Sequence, residues 1–329
     1  MLVPNDDRDV SSQPATLLSY LRLFRLPNVF TALADIAMGF IVSRQSVEPL
    51  GALVSLGVAS AFLYTAGMVL NDVFDVEVDR KERPFRPLPA GQISLSLATA
   101  LGYTFLALGV AFGWLAGLLY ADVAADELPW RSGAVATILA AFVVLYNAVL
   151  KRTWLGPLGM GLCRFCNVLL GMSVASVVAD DGLLGYRLGE WLAAAGIGTY
   201  IVGVTWLARR EAEQSRAGQL LGALVMMLLG IVVLGVSGNY LEPRGDASLT
   251  PLMFWVLLAL LAVSIVRRCA AALADPQPAF VQSAVKHAIL SLILFDASTC
   301  LVVAPAVYGI GVVALLLPTL LLGRWVYST

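Results

Sequence analysis

Charge is what this 329-residue chain has least of. Asp, Glu, Lys and Arg make up 13% of it, against 59% apolar residues, where a soluble domain carries roughly 25% charged residues. That deficit excludes an ordinary soluble globule. The net charge is −1, so there is no basic field to gather nucleic acid. Histidine is almost absent. The single one, His287, follows Lys286 near the start of an apolar run with no acid paired to it, which favours an interfacial or packing role over catalysis. The four cysteines, Cys163, Cys166, Cys269 and Cys300, all lie inside apolar segments. Cys163-x-x-Cys166 has a redox spacing, but within a membrane helix small apolar filler is the favoured reading, and no disulfide or metal framework follows.

What the chain does have is apolar runs of spanning length, at about 17–43, 50–71, 93–120, 133–150, 156–179, 189–208, 217–238, 251–273, 279–302 and 305–325. A helix needs roughly 20 residues to cross the hydrocarbon, so the expected fold is all-α, a polytopic membrane bundle of nine or ten helices. Pro305 either splits two spans or kinks one region. Residues 1–16 read as a polar tail and 17–329 as a single transmembrane domain. No basic n-region with a short apolar core and cleavage site precedes the first span, so no cleavable signal peptide is expected. With the N-terminus inside, the inner loops carry Arg80, Lys81, Arg83 and Arg86, then Lys151 and Arg152, then Arg209, Arg210 and Arg216, then Arg267 and Arg268. The outer loops carry one base apiece, Arg44, Arg131, Arg187 and Arg244. The positive-inside rule then puts the tail and the polar loops after the second span in the cytoplasm.

One segment breaks the apolar pattern. Residues 50–70 hold no charge and run directly into Asn71-Asp72-Val73-Phe74-Asp75-Val76-Glu77-Val78-Asp79. An Asp at a bilayer centre costs roughly 2.5–3.5 kcal/mol on insertion scales, and less near an interface, so acids abutting a span call for an explanation. On a helix Asp72, Asp75 and Asp79 fall at i, i+3 and i+7, and Asn71 lies four before Asp75, which gathers all four on one face. Three carboxylates and an amide are hard oxygen donors that suit Mg²⁺, an ion usually held by one or two carboxylates plus substrate phosphates. A solvated helix end with alternating charges is the alternative. The abutting span and the basic loop that follows favour the ligand reading. Glu77 falls off the face and is expected to pair with Arg80 or Lys81.

The loop from Arg83 to Gly91 places Arg83 and Arg86 on a backbone stiffened by Pro84, Pro87 and Pro89. Arginine suits bidentate phosphate recognition, although positive-inside decoration explains some of these charges. A further cluster closes the fourth span, where Tyr146 and Lys151 are spaced to reach one cavity mouth, with Arg152 beside them. Interface anchoring is the default for the two bases, whereas a bound diphosphate would explain why cations and acids converge on one membrane face.

The chain also repeats internally. Arg25-Leu26-Pro27-Asn28 in the first span recurs as Arg164-Phe165-Cys166-Asn167 in the fifth. Laying Leu70–Arg80 over Trp206–Arg216 pairs Asp75 with Glu211, Glu77 with Glu213 and Arg80 with Arg216, so two four-helix halves around a central cavity are expected. Arg25, Asn28, Arg164 and Asn167 would face that cavity or hydrogen-bond between helices. Asp35 and Asp296 are acids inside spans, functional by default or bundle-facing.

These motifs resemble the UbiA superfamily of intramembrane prenyltransferases. The match rests on Asn71-Asp72-x-x-Asp75-x-x-x-Asp79, on Arg83-Pro84-x-Arg86-Pro87-Leu88-Pro89-Ala90-Gly91 and on Tyr146-x-x-x-Leu150-Lys151. The resemblance implies an all-helical fold with a cavity open to lipid and transfer of a prenyl chain from an allylic diphosphate to a lipophilic or aromatic acceptor, with Mg²⁺. It implies that Asn71, Asp72, Asp75 and Asp79 hold the metal against the diphosphate, while Arg86, Tyr146 and Lys151 grip its oxygens. The departure lies in the second signature, Thr205-Trp206-Leu207-Ala208-Arg209-Arg210-Glu211-Ala212-Glu213-Gln214-Ser215-Arg216. There only Glu211 replaces an expected acid, and Arg209 and Arg210 would neutralise diphosphate directly. The rival expectation is a diverged relative that binds or translocates a prenylated lipid without transferring the chain.

Overall fold

The computed structural model describes residues 16–122, 127–175, 183–209, 217–243, 245–275 and 277–326. The architecture is all-α. Two short helices, α1 (Leu17–Leu23) and α4 (Val76–Glu82), accompany the long ones: α2 (Leu26–Arg44), α3 (Leu50–Phe74), α5 (Leu95–Tyr120), α6 (Arg131–Ala148), α7 (Gly156–Gly171), α8 (Leu188–Ala208), α9 (Ala217–Ser237), α10 (Pro251–Ala274) and α11 (Pro278–Val303). The described chain ends in α12 (Ala306–Val313) and α13 (Leu316–Gly323). Local signals set the starts. Proline sits in the first turn of α2, α7, α10 and α11, where its missing N–H has no partner to lose. The hydroxyls of Ser94 and Thr250 cap α5 and α10.

Among the described residues nine helices are long and apolar enough to cross a membrane, with α12 and α13 counted as one. Helix α7 has only 16 residues, yet it makes the same traverse. Just before its start, Arg152 donates to the Phe74 carbonyl at the end of α3, and just past its other end Arg44 donates to the Val174 carbonyl from the far end of α2. Pro305 divides two spans, standing between the end of α11 and the start of α12.

The expected repeat is visible in the packing. Helix α2 packs on α3, α3 on α5 and α5 on α6; α7 packs on α8, α8 on α9 and α9 on α10, while α2 and α7 meet at the seam. That seam is close because it is made by glycines. A Cβ on Gly39 would stand 2.6 Å from the Val168 carbonyl oxygen, and one on Gly171 would stand 2.7 Å from that of Ile36. Helix α5 shows how lipid inverts the usual helix pattern. It buries a small-residue stripe, Ala98, Gly102, Gly109, Gly113, Ala116 and Gly117, while Tyr103, Leu108, Leu115 and Leu118 point outward. Between helices in lipid, close backbone contact replaces hydrophobic burial as the driving force, so large apolar side chains belong outside.

Candidate active site

A cavity lies between α2, α3, α6 and α7. Leu63, Met68, Leu139, Val143 and Met160 make its walls apolar, and Tyr64, Tyr146, Asn147, Arg164 and Asn167 supply the polar groups. Its mouth lies at the acidic segment, because Met68 precedes Asp72 by one turn of α3 and Tyr146 and Asn147 end the lining on α6.

At that mouth three acids meet three bases. Arg25 donates to Asp72 at 3.2 Å, and Arg86 reaches Asp79 at 2.7 Å and Asp72 at 3.5 Å. Lys151 contacts Asp75 at 2.8 Å and also reaches the carbonyl and side-chain oxygens of Asn71, both at 3.3 Å. Asp72 and Asp79 are buried at 4% and 3% exposure, while Asp75 stays partly open. The pole is therefore a self-neutralised set of ions packed against hydrocarbon, an arrangement stable only because each charge has its opposite within reach. Burial pushes the Lys151 ammonium below its ordinary lysine value, with Asp75 acting against that shift. Burial also opposes the Arg25 cation, but Asp72, Tyr64 and Asp79 outweigh it and hold the guanidinium above its ordinary value.

Backbone strain accompanies this geometry. Arg25 has φ 46° and ψ 46°, the left-handed region, at the turn between α1 and α2. A non-glycine residue there costs on the order of 1 kcal/mol, and such strain persists only where surroundings impose it. The turn leaves the Arg25 guanidinium on Asp72.

The four donors Asn71, Asp72, Asp75 and Asp79 do not sit on one unbroken helix. Helix α3 ends at Phe74 and α4 begins at Val76, with Asp75 at φ −100° and ψ 2° between them. Among the described residues no group of three or more His, Cys, Asp or Glu side chains is drawn together as a metal cage. Asp79 is turned to Arg86, so the residues that sequence reasoning assigned separately, Asp79 to metal and Arg86 to diphosphate, meet in one ion pair. Asn71, Asp72 and Asp75 remain a hard-oxygen donor set at the cavity mouth, which fits Mg²⁺ completed by phosphate oxygens.

The other singled-out residues divide. Tyr146, Arg164 and Asn167 line the cavity, and Asn28 lies in the first turn of α2. Arg83 enters the pole through its backbone, donating its N–H to the Asp79 carbonyl and accepting from the Arg86 N–H. Arg152 caps the Phe74 carbonyl at 2.9 Å, and Arg209 binds the Thr153 carbonyl. Glu77 pairs with Arg80 at 2.6 Å, as its position off the acidic face implies. His287 hydrogen-bonds Ser264 between α11 and α10, a packing contact. Arg210 and Glu211 lie outside the described residues. Sequence reasoning missed Tyr64 and Asn147 as cavity residues. A signal existed for Tyr64, which shares a face of α3 with Met68 and Asp72 at four-residue steps; Asn147 carried none beyond its neighbour Tyr146.

Comparison with known proteins adds to this geometry. A sequence profile of the UbiA prenyltransferase family matches residues 32–271. The digeranylgeranylglyceryl phosphate synthase of Saccharolobus solfataricus is 33% identical over 138 residues, 42% of this chain and 45% of that protein. The protein of the same name from Metallosphaera sedula is 29% identical over 174 residues, 53% of each chain. The chain thus aligns with about half the length of these curated relatives. Among solved structures, a UbiA homologue from Archaeoglobus fulgidus bound to DMAPP and Mg²⁺ has a TM-score of 0.60 at 18% identity, covering 90% of this chain and 99% of the other. That likeness concerns the fold.

Proposed function

We propose that this chain, which belongs to the UbiA prenyltransferase family, is an integral membrane enzyme that moves a prenyl group from a polyprenyl diphosphate to a lipophilic or aromatic acceptor. The observation that carries the reading is the placement of a balanced acid–base pole at the mouth of an apolar intramembrane cavity. The cavity takes the chain and the pole takes the diphosphate. The names of the curated relatives and the DMAPP and Mg²⁺ of the Archaeoglobus fulgidus homologue support it.

The geometry suggests an exchange of partners. Asn71, Asp72 and Asp75 would hold Mg²⁺, which when bound supplies positive charge to the leaving diphosphate. Arg25, Arg86 and Lys151 then turn from these carboxylates to phosphate oxygens, Arg86 with Asp79 still behind it. Cleavage of the allylic C–O bond leaves a carbocation in the cavity and negative charge at the pole, and cations already in place stabilise that charge without reorganisation. The faces of Tyr64 and Tyr146 along the cavity favour the cation. The acceptor would enter from the bilayer side and give up its proton to the departing diphosphate as the new bond forms.

The test is diphosphate release from labelled geranylgeranyl diphosphate with Mg²⁺, with and without a panel of acceptors. Transfer in the native protein and its loss in Asp75→Ala are expected. Binding without turnover across the panel, unaffected by Asp75→Ala, would instead identify a lipid carrier. That second reading draws on the last turn of α8, where Thr205-Trp206-Leu207-Ala208-Arg209 holds no acid.

We also propose that the pole faces the cytoplasm. Arg80, Lys81, Arg83, Arg86, Lys151, Arg152 and Arg209 gather at this end of the bundle, whereas Arg44 and Arg131 lie at the other. A single cysteine introduced at exposed Lys81 should resist a membrane-impermeant thiol reagent in intact cells and react after lysis. Labelling in intact cells would reverse the orientation.

A further inference from the structure

Exposed cations interrupt the lipid-facing surface of α10 and α11. Along the chain Arg267 and Arg268 count as bases of an inner loop, but both lie within α10, seven and six residues before its end at Ala274. Lys286 lies within α11, eight residues past Pro278. Arg267, Arg268 and Lys286 are all exposed. Counted from Pro251, Arg267 is about 24 Å along α10, inside a hydrocarbon layer roughly 30 Å thick. An unneutralised cation at that depth is costly. Long side chains relieve the cost by reaching back toward the interface, where phosphates lie.

One hydrogen bond sets how these cations face. Ser264 Oγ on α10 and His287 Nε2 on α11 are 2.9 Å apart, so the two residues lie against each other between the helices. At about 100° per residue, Arg267 falls about 60° to one side of Ser264 and Arg268 about 40° to the other. Because α10 and α11 run antiparallel, Lys286 falls on the same side as Arg267. The core lies opposite, marked by buried Ile265 and Cys269 on α10 and buried Ala284 and Ala288 on α11. Arg267 and Lys286 therefore flank one lipid-facing groove, with exposed Ser283 on the same side one turn from His287. Arg268 stands on the other flank.

No carboxylate of these helices answers the two charges. Asp275 and Asp296 are the only acids between Pro251 and Val303. Asp275 caps the end of α10, about two turns beyond Arg267, and Asp296 is fully buried. Among the described residues neither Arg267 nor Lys286 forms an ion pair. Away from the cations the same face of α10 is apolar. Val256, Leu260 and Val263 precede Arg267 at the spacing of one helix face, and all three are exposed.

We propose that the groove between α10 and α11 binds an anionic phospholipid, with Arg267, Lys286 and Ser283 on its phosphate and Val256, Leu260 and Val263 along an acyl chain. Free phosphate would satisfy only the cations, whereas an amphiphile matches both halves of the surface. Basic pockets between membrane helices hold such headgroups by charge and hydrogen bonds together. The site is independent of whether the chain transfers prenyl groups.

The test uses the purified full chain in neutral detergent with phosphatidylcholine, titrated with phosphatidylglycerol, and reads the thermal unfolding midpoint. Phosphatidylglycerol should raise that midpoint to saturation. Arg267→Gln and Lys286→Gln should each raise the half-saturating amount about fivefold, and the double variant about thirtyfold, as loss of one and of two headgroup contacts gives. Arg268→Gln leaves the groove intact and should stay within about twofold of the native chain. A double variant as responsive as the native chain, or an equal shift in Arg268→Gln, overturns the site. Inorganic phosphate at matched ionic strength should leave the midpoint unchanged, and protection by phosphate alone overturns the lipid as occupant. Mass spectrometry gives a readout separate from stability: the native chain should retain phosphatidylglycerol through purification and the double variant should lose it. Equal retention by the two overturns the assignment.

Discussion

Asp72→Ala is expected to reduce prenyl-diphosphate turnover by about a hundredfold to a thousandfold, the range seen when one preorganised transition-state contact is removed. Asp72 is the residue on which the pole converges. It binds Arg25 and is also approached by Arg86, so its removal takes away a proposed metal ligand and leaves Arg25, already in a strained backbone turn, without its carboxylate. Asp79→Ala should behave differently. Its carboxylate meets Arg86 at 2.7 Å within the pole, and its loss frees Arg86 without removing a donor from the cavity mouth. A decrease of about tenfold, mainly in KM, is expected for loss of one anchoring ion pair's worth of order. Titrating Mg²⁺ separates the two roles. Asp72→Ala and Asp75→Ala should raise the Mg²⁺ concentration needed for half-maximal rate, whereas Asp79→Ala should leave it unchanged. An equal shift in all three would return Asp79 to the metal set.

The largest effect on stability is expected at the opposite end of the bundle. Arg131, at the start of α6, is 1% exposed. Its Nε donates to the Ser173 carbonyl at 2.7 Å, one terminal nitrogen to Gly185 at 2.6 Å and the other to Ala175 at 2.7 Å. The guanidinium also lies 4.7 Å from the Tyr186 ring centroid. One side chain therefore ties Ser173 and Ala175, just past α7, to Gly185, just before α8. Arg131→Met keeps the stem but leaves three carbonyls without that donor, and should cost about 3–5 kcal/mol, as breaking a buried charge interaction does. Thermal unfolding in detergent, followed by helical circular dichroism, checks this. Because the site lies at the far end of the bundle from the pole, the folded fraction of Arg131→Met should keep a native KM for the diphosphate. A native unfolding temperature would show that the three carbonyls are served equally well by other groups.

Arg131 also shows where sequence reading loses information. Along the chain it is one base in an outer loop, a minor count in the charge asymmetry that orients the bundle. In the fold it is among the most enclosed charges of the molecule. Arg152 differs in the same way. Its place beside Tyr146 and Lys151 suggests an interface anchor or a phosphate contact, and only the fold shows that it also caps the end of α3 through the Phe74 carbonyl. The acidic helix end was legible because its signal is local, a run of donors at helical spacing against an uncharged span. Cavity residues such as Tyr64 were less so, since a tyrosine among apolar neighbours has the same appearance whether it faces lipid or a chamber.

Much of the architecture follows from the order of residues alone. Hydrocarbon accepts only segments that satisfy their own backbone, so spanning helices, the repeated Arg-x-x-Asn and the acids abutting α3 are all readable one segment at a time, while the choice at Pro305 between a division and a kink is made by the fold. The pairings are not. Arg25 and Asp72 stand 47 residues apart, and Asn167 and Asp35 are separated by 132. Whether a buried charge meets a partner or a carbonyl depends on how each helix is rotated and on which glycines let it approach its neighbour. Packing settles that between segments, after each helix has been specified within its own.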